Sequence, residues 1–306
     1  MLVSKMTQYL SVTSEIRNAI GSKQPIVALE TTLVTHGFPH PEGLEVAHEL
    51  ESTVRAEGAV PATIGVVGGC LKVGIDHAEL VALSQSSPVQ KLNLSNLAAG
   101  IVDVGLGSTT VAATMLAAHL SGIQVFSTGG IGGVHRGASM TGDISSDLEA
   151  LSRFPVAVVC AGAKAILDLP RTVEALESRG VPIFGVGTGD FPAFYRRDSG
   201  LPVDRRFDEI ERLAAAVKTH LELGIGSGLV VANPIPVEDE MPRDLYETAL
   251  NKALAGLESS GCRGRDVTPF LLDELRQATS GQSAFSNRAL LLHNAAVAAR
   301  LAAALV

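Results

Sequence analysis

Several large functional classes are excluded by what the chain lacks. Its 24 Lys and Arg are outnumbered by 32 Asp and Glu, a formal net charge of −8. It therefore has no electrostatic footprint of a nucleic-acid binder, although local basic groups could still hold one phosphate. Cysteine is scarce: Cys70, Cys160 and Cys262 are far apart, with no CxxC pair. That spacing excludes a disulfide framework or zinc ribbon and reads as reduced thiols in a cytoplasmic protein. The first twenty residues carry no long apolar segment ending in a small-residue cleavage site, so no secretory signal is read there. The alanine-rich stretch 289–306 contains His293, Asn294 and Arg300 and is barely of spanning length. It reads as a packed helix, not a membrane span. No GK[ST] follows the glycine run 129–133, and no G-x-G-x-x-G leads to an acidic strand end, so a nucleotide-binding loop is not supported. No Ser-His-Asp order or nucleophile elbow is visible.

What remains is a chain of 306 residues, 46% hydrophobic, without linker or internal repeat. Residues 1–306 read as one elaborated α/β domain with a large core. Apolar runs at 26–29, 62–67, 123–127, 156–160, 181–187 and 228–232 read as buried strands. Helical periodicity is read at 7–21, 42–57, 109–119, 172–178 and 207–222, and over most of the last seventy residues. Asp76 reads as the N-cap of a short helix. Strands apolar throughout, alternating with helices, predict a three-layer α/β/α fold with a largely parallel sheet.

Chemistry-bearing residues gather where two of these strands end, the place where open α/β sheets bind ligands. Lys164, one of seven lysines, is flanked by VVCAGA and AILDL. Desolvation there would free its amine as a nucleophile toward a carbonyl, unless it only snorkels or pairs with Asp168 four residues on. Glu30 ends the strand at 26–29 and reads either as a general acid or as a loop carboxylate. Asp143 and Asp147 suit Mg²⁺ or Mn²⁺, but Ser146 and Glu149 form an S-x-x-E box, so Asp147 also fits a first-turn helix acid. His135 and Arg136, within glycines, could meet phosphate or sugar oxygens or form a surface pair. The remaining histidines weighed, His36, His40, His48 and His77, form no ligand set.

ALETTLVTHG (28–37), GAVPATIGVVGG (58–69), STGGIGGVHRGA (127–138), DISSDL (143–148), CAGAKAILDL (160–169), GLVVANPIP (228–236) and TPFLL (268–272) together resemble the pseudouridine-5′-phosphate glycosidases. That family also includes proteins encoded with indigoidine biosynthesis. The resemblance runs over nearly the whole chain. It implies reversible cleavage of pseudouridine 5′-phosphate to uracil and ribose 5-phosphate, a homotrimer, and one Mn²⁺ per subunit. It further implies Lys164 as covalent nucleophile, Glu30 as proton donor and Asp143 as metal residue. Lys91, Val111, Ser145, Ser146 and Asp147 are implied to contact substrate, with His135 and Asn294 as further pocket residues. His293 stands where some relatives have asparagine.

Two other classes compete. A Schiff-base aldolase or isomerase of a small sugar phosphate would share Lys164 and a phosphate site but need no uracil pocket. A nucleotide-binding regulator would not depend on Lys164, and no DNA-binding element supports it.

Overall fold

The structure, a computed structural model, describes residues 8–86, 88–103, 105–261 and 267–306. Cys262 lies outside them. Cys70 and Cys160 are free thiols, and burial pushes Cys160 up to about 12, so it stays an inert core thiol.

The strands in chain order are β1 (Leu10–Val12), β2 (Ile26–Leu29), β3 (Val60–Val67), β4 (Cys70–Val73), β5 (Gln90–Leu92) and β6 (Leu106–Thr109). They continue with β7 (Val125–Ser127), β8 (Ala157–Cys160), β9 (Ile183–Val186), β10 (Arg205–Phe207) and β11 (Leu229–Ala232). Parallel pairing in the order β3-β2-β7-β8-β11-β9-β10 makes the main sheet. All residues of β2, β8 and β11 are buried, the pattern of strands covered on both faces. The first half of β3 pairs in parallel with β2, and its second half pairs antiparallel with β4 and β6. One eight-residue strand thus couples the parallel sheet to a smaller mixed one containing β1 and β5.

The helices are α1 (Ser14–Gly21), α2 (Glu42–Ala56), α3 (His77–Gln85), α4 (Leu97–Asp103), α5 (Val111–Ser121), α6 (Ala138–Thr141) and α7 (Ser146–Arg153). After them come α8 (Leu169–Glu177), α9 (Ile210–Glu222), α10 (Arg243–Ser260), α11 (Val267–Ala278) and α12 (Gln282–Leu305). A π-helical turn spans Leu33–Gly37. Helix α12 lies along β2, β7 and β8 between α2 and α9, whereas α5 packs on β2, β3 and β7 with α7 beside it. Two helix layers therefore cover opposite faces of one sheet, as expected from the sequence. By length and composition α12 could cross a membrane. Leu290, Leu291, Val297 and Leu301 are buried against the sheet and neighbouring helices, so packing inside the fold accounts for its apolar face.

Helices began too early in the sequence reading at three places. Within 7–21, residues 10–12 form β1; within 109–119, Thr109 ends β6; within 207–222, Phe207 ends β10. Each of these strands has three or four residues and is stabilised by a partner remote in sequence, which local periodicity does not register. Asp76 does cap α3: its carboxylate accepts the Glu79 N–H (2.9 Å), and Glu79 reaches back to the Asp76 N–H (2.9 Å).

Candidate active site

Adjacent strands β2 and β7 feed opposite directions, β2 toward β3 on one side and β7 toward β8 on the other. A crevice opens at the carboxyl ends of strands at such a switch point. Glu30 follows β2 there, Thr128 follows β7, and Lys164 lies four residues past β8. The smaller sheet adds Lys91 from β5 and Thr110 after β6. Apart from Thr128, they line a cavity of about 140 Å³ together with Thr32, Asn93, Gly132, His135, Asp143, Ser145, Ser146 and Asp147. A second lobe of about 60 Å³ shares Glu30, Thr32, Lys91 and Lys164 with it. Leu33, Phe194, Leu272 and Leu291 give that lobe an apolar wall, and Asn287 adds a carboxamide.

Glu30 is only 9% exposed, and its carboxylate accepts a hydrogen bond from the Thr128 hydroxyl. Burial raises its pKa, opposed by the positive charge of Lys164, the Thr128 hydrogen bond and Lys91, while Asp147 pushes it further up. A carboxyl group that holds its proton to higher pH than an ordinary glutamate is equipped to donate it.

Lys164 is held by its backbone: its N–H donates to Ile131 O and its carbonyl accepts from Leu167 N, both at 3.0 Å. Ala161, Ala163, Ala165 and Ile166 around it are buried. The alternative pairing with Asp168 does not form. Asp168 instead caps α8 through the Arg171 N–H (3.2 Å) and lies 3.6 Å from the Arg171 guanidinium. Among the described residues, no carboxylate lies within ion-pair distance of the Lys164 ammonium. Gly162 lets the chain turn here: its φ is +80°, and a Cβ would sit 2.0 Å from Pro192 O.

The acidic segment differs from its sequence reading. The N-cap of α7 is Ser145, whose hydroxyl accepts the Asp147 N–H (3.2 Å), so the S-x-x-E box at Ser146 and Glu149 does not form. Glu149 instead points along the helix toward Arg153, 3.6 Å away. Asp147 is buried and commits both oxygens to other elements, accepting Ala112 N–H (3.0 Å) from the first turn of α5 and Gly132 N–H (2.8 Å). This carboxylate ties the starts of α5 and α7 to the glycine loop, giving a lining residue that also fixes the site's shape. Gly132 is needed for that tie, because a Cβ would lie 2.7 Å from Asp147 Oδ2 and 2.1 Å from Ser145 Oγ.

His135 Nδ1 lies 3.9 Å from Asp143 Oδ2. Burial lowers the His135 pKa, against the attraction of Asp143 and with Lys164 and Lys91 adding to the lowering, so the ring is neutral at pH 7. Among the described residues no three His, Cys, Asp or Glu side chains gather as a metal cluster. An ion at Asp143 would draw most of its ligands from water and substrate, as Mg²⁺ and Mn²⁺ commonly do.

Val111 is the first residue of α5; it is buried and lines neither lobe, although Thr110 before it does. Asn294 corrects a further expectation. It is fully buried and reaches no cavity wall; its amide donates to the carbonyls of Thr128 (2.8 Å) and Gly129 (3.4 Å) behind the crevice. Arg136 is exposed and lines neither lobe. Thr128 and Thr110 were missed from the sequence. Both directly follow strands, the signal that had singled out Glu30, but a threonine there is common enough to escape notice.

A family-wide profile for indigoidine synthase A like proteins matches residues 15–304. A Paracoccus denitrificans protein named pseudouridine-5′-phosphate glycosidase is 49% identical, covering 98% of this chain and 99% of its own. A Staphylococcus aureus protein of the same name is 43% identical, over 99% of this chain and 98% of its own. Among solved structures, the prealnumycin C-glycosynthase AlnA in complex with ribulose 5-phosphate superposes with a TM-score of 0.90 at 38% identity, covering 97% of each chain. An indigoidine synthase A-like protein from Thermotoga maritima follows at 0.87 and 32%, covering 96% of this chain and 95% of that one. By profile, sequence and fold, this chain belongs to the indigoidine synthase A like family, alongside the pseudouridine-5′-phosphate glycosidases.

Proposed function

We propose that the chain is a pseudouridine-5′-phosphate glycosidase that reversibly cleaves the C–C glycosidic bond to give uracil and ribose 5-phosphate. The observation that carries this reading is the pair of lobes joined at Glu30 and Lys164. A polar lobe suits a sugar phosphate, and a lobe with an apolar wall that also presents the Asn287 carboxamide and His36 suits a small base. An aldolase of a sugar phosphate would need only the first.

A uracil carbanion leaves poorly, so two carboxylates, which suffice for ordinary glycosides, do not suffice here. Glu30 protonates the ring oxygen as the ribose opens, and the Lys164 amine bonds to C1′. Breaking the bond from C1′ to uracil C5 leaves an iminium on Lys164, with C5 taking a proton. Water then hydrolyses the iminium, releasing ribose 5-phosphate and the free amine.

For the 5′-phosphate, the starts of α5 and α7 face one cavity, with Lys91 between them. Helix N-termini supply unpaired N–H groups and favourable dipoles for an anion. The Thr110 hydroxyl, buried without a partner, and the Ser145 and Ser146 hydroxyls extend that set. Asp143, with neutral His135 beside it, would hold one Mn²⁺, which when bound supplies positive charge toward substrate oxygens. We further place the protein in the cytoplasm as a homotrimer, on the resemblance of its motifs.

Incubating the protein with ribose 5-phosphate, uracil and Mn²⁺ tests the reading. A product absorbing like pseudouridylate is expected, and chelation should abolish its formation until Mn²⁺ is restored. Consumption of ribose 5-phosphate without uracil would favour the aldolase reading instead.

A further inference from the structure

The described crevice leaves one buried polar group without a catalytic duty. Asn294 sits in the middle of α12, fully buried, and every other buried side chain of the helix from Leu290 to Ala302 is apolar. A carboxamide in such a place costs free energy unless its hydrogen bonds are met. Here they are all met, and they lead to the proton donor. The Asn294 amide donates to Thr128 O (2.8 Å) and Gly129 O (3.4 Å), and its oxygen accepts from the Asn233 amide (2.9 Å). Asn233, at the end of β11, gives its second N–H to His293 Nδ1 (3.1 Å) and is anchored by its own N–H to Cys160 O (2.9 Å). A flipped Asn294 would turn its oxygen against two carbonyls, and a flipped Asn233 would lose both of its amide bonds, so both orientations are fixed.

The far end of this chain of bonds is Thr128. Its N–H is bonded to β8 through Val159 O (3.0 Å), its carbonyl to Asn294, and its hydroxyl to Glu30. Both halves of the peptide unit flanking Thr128 are thus fixed, one by the sheet and the other by the helix layer. We infer that Asn294, oriented by Asn233, is a positioning residue that holds the strand end at Thr128 and so aims the Thr128 hydroxyl at the Glu30 carboxyl group. The inference rests on Glu30 being the proton donor of the reaction proposed above. Asn294 lines neither lobe, so it acts through the backbone of Thr128 and Gly129.

Replacing Asn294 with Leu keeps the branched heavy-atom skeleton at somewhat greater bulk and leaves two buried carbonyls without donors. The strand end should then relax, and displacements of about 1 Å at a reacting group cost on the order of a hundredfold in rate. The expected result is a kcat lower by about ten- to a hundredfold with KM within about threefold, since the lining of the sugar-phosphate lobe is untouched and only the backbone at Thr128 and Gly129 borders the second lobe. A hydrogen bond to a carboxylate favours its charged form. Losing the Thr128 hydroxyl should therefore move the Glu30 limb of the kcat/KM pH profile to higher pH. Thr128→Val should move the same limb, and the double variant Thr128→Val/Asn294→Leu no further, because the two changes remove one interaction. Should Asn294→Leu fail to fold, Asn233→Ser, beside a cavity whose water can fill the gap, is measured in the same way.

A folded Asn294→Leu or Asn233→Ser with wild-type kcat and an unmoved limb would overturn the inference, as would limb shifts that add in the double variant. Glu30→Gln separates the two levels. If it removes the limb while the asparagine variants leave it in place, only the positioning role is wrong. If it leaves both rate and limb intact, Glu30 is not the donor, and both the reading and the inference fall.

Discussion

Two hollows open at the carboxyl edge of the same parallel sheet, and the larger is not the one with the chemistry. Beyond β9, β10 and β11 lies a cavity of about 530 Å³ lined by Arg197, His293 and Arg300 among acidic and apolar groups. Beyond β2, β7 and β8 the reactive cavity measures only about 140 Å³. In the large hollow the basic groups are already engaged. Arg197 donates to Ile235 O, Arg300 donates to Ala296 O (3.3 Å) and lies 3.8 Å from Glu57, and His293 accepts from Asn233 (3.1 Å). In the small one, among the described residues, Lys164 has no carboxylate at ion-pair distance and the Thr110 hydroxyl has no partner, while Glu30 keeps a raised pKa. Groups kept chemically uncommitted at a topological switch point mark the site better than volume does.

The comparison can be broken most severely at Lys164. Lys164→Ala should cost at least about three orders of magnitude in kcat, the scale of removing a covalent nucleophile. Lys164→Arg should be as poor, because guanidinium stays protonated. Steady-state rates on pseudouridine 5′-phosphate check both, and near-normal turnover in either would move the nucleophile elsewhere. Removing the 5′-phosphate from the substrate comes next. Binding energy from that remote group lowers the barrier at C1′, so kcat/KM for pseudouridine should fall by at least about a hundredfold. Comparable values for both substrates would show the helix starts and Lys91 to be idle.

Much of this site was legible before the fold was known, for a physical reason. Glu30 and Lys164 follow apolar runs directly, so the strand ends that place them can be read from local pattern alone. The duty of Asp147 could not be read that way, because its partners Ala112 and Gly132 come from two other segments. Asn294 was misassigned on the same account: a helix residue can face a ligand or a strand end, and only packing decides. The short strands β1, β6 and β10 were lost to neighbouring helix patterns because their stability comes from pairing remote in sequence.

A smaller effect sharpens the contrast through stability. Burial raises the Glu30 pKa in the folded state above its unfolded value. Its contribution to stability is therefore fully present below the unfolded pKa and is lost as pH rises through the folded one. Glu30→Gln removes the cost of a buried charge at high pH and little at low pH. Its Tm should exceed that of the wild type at pH 8 and match it near pH 4, and thermal melts across that range check the sign. The smallest effect belongs to the large hollow. Arg300→Ala, whose charge is met locally on an exposed helix face, should leave kcat within about twofold of wild type. A loss comparable to that at Lys164 would mean the two hollows had been ranked wrongly.

The central claim is that Lys164 forms a covalent bond with the ring-opened sugar, and mass spectrometry after borohydride trapping tests it most directly. Protein incubated with ribose 5-phosphate and then reduced should yield a tryptic peptide containing Lys164 that carries the mass of the sugar phosphate less water plus two hydrogens. The peptides of Lys72 and Lys91 should remain unmodified, and Glu30→Gln should accumulate less adduct. An adduct on Lys91 would move the nucleophile across the cavity, and no adduct on any lysine of a fully active enzyme would contradict the covalent mechanism.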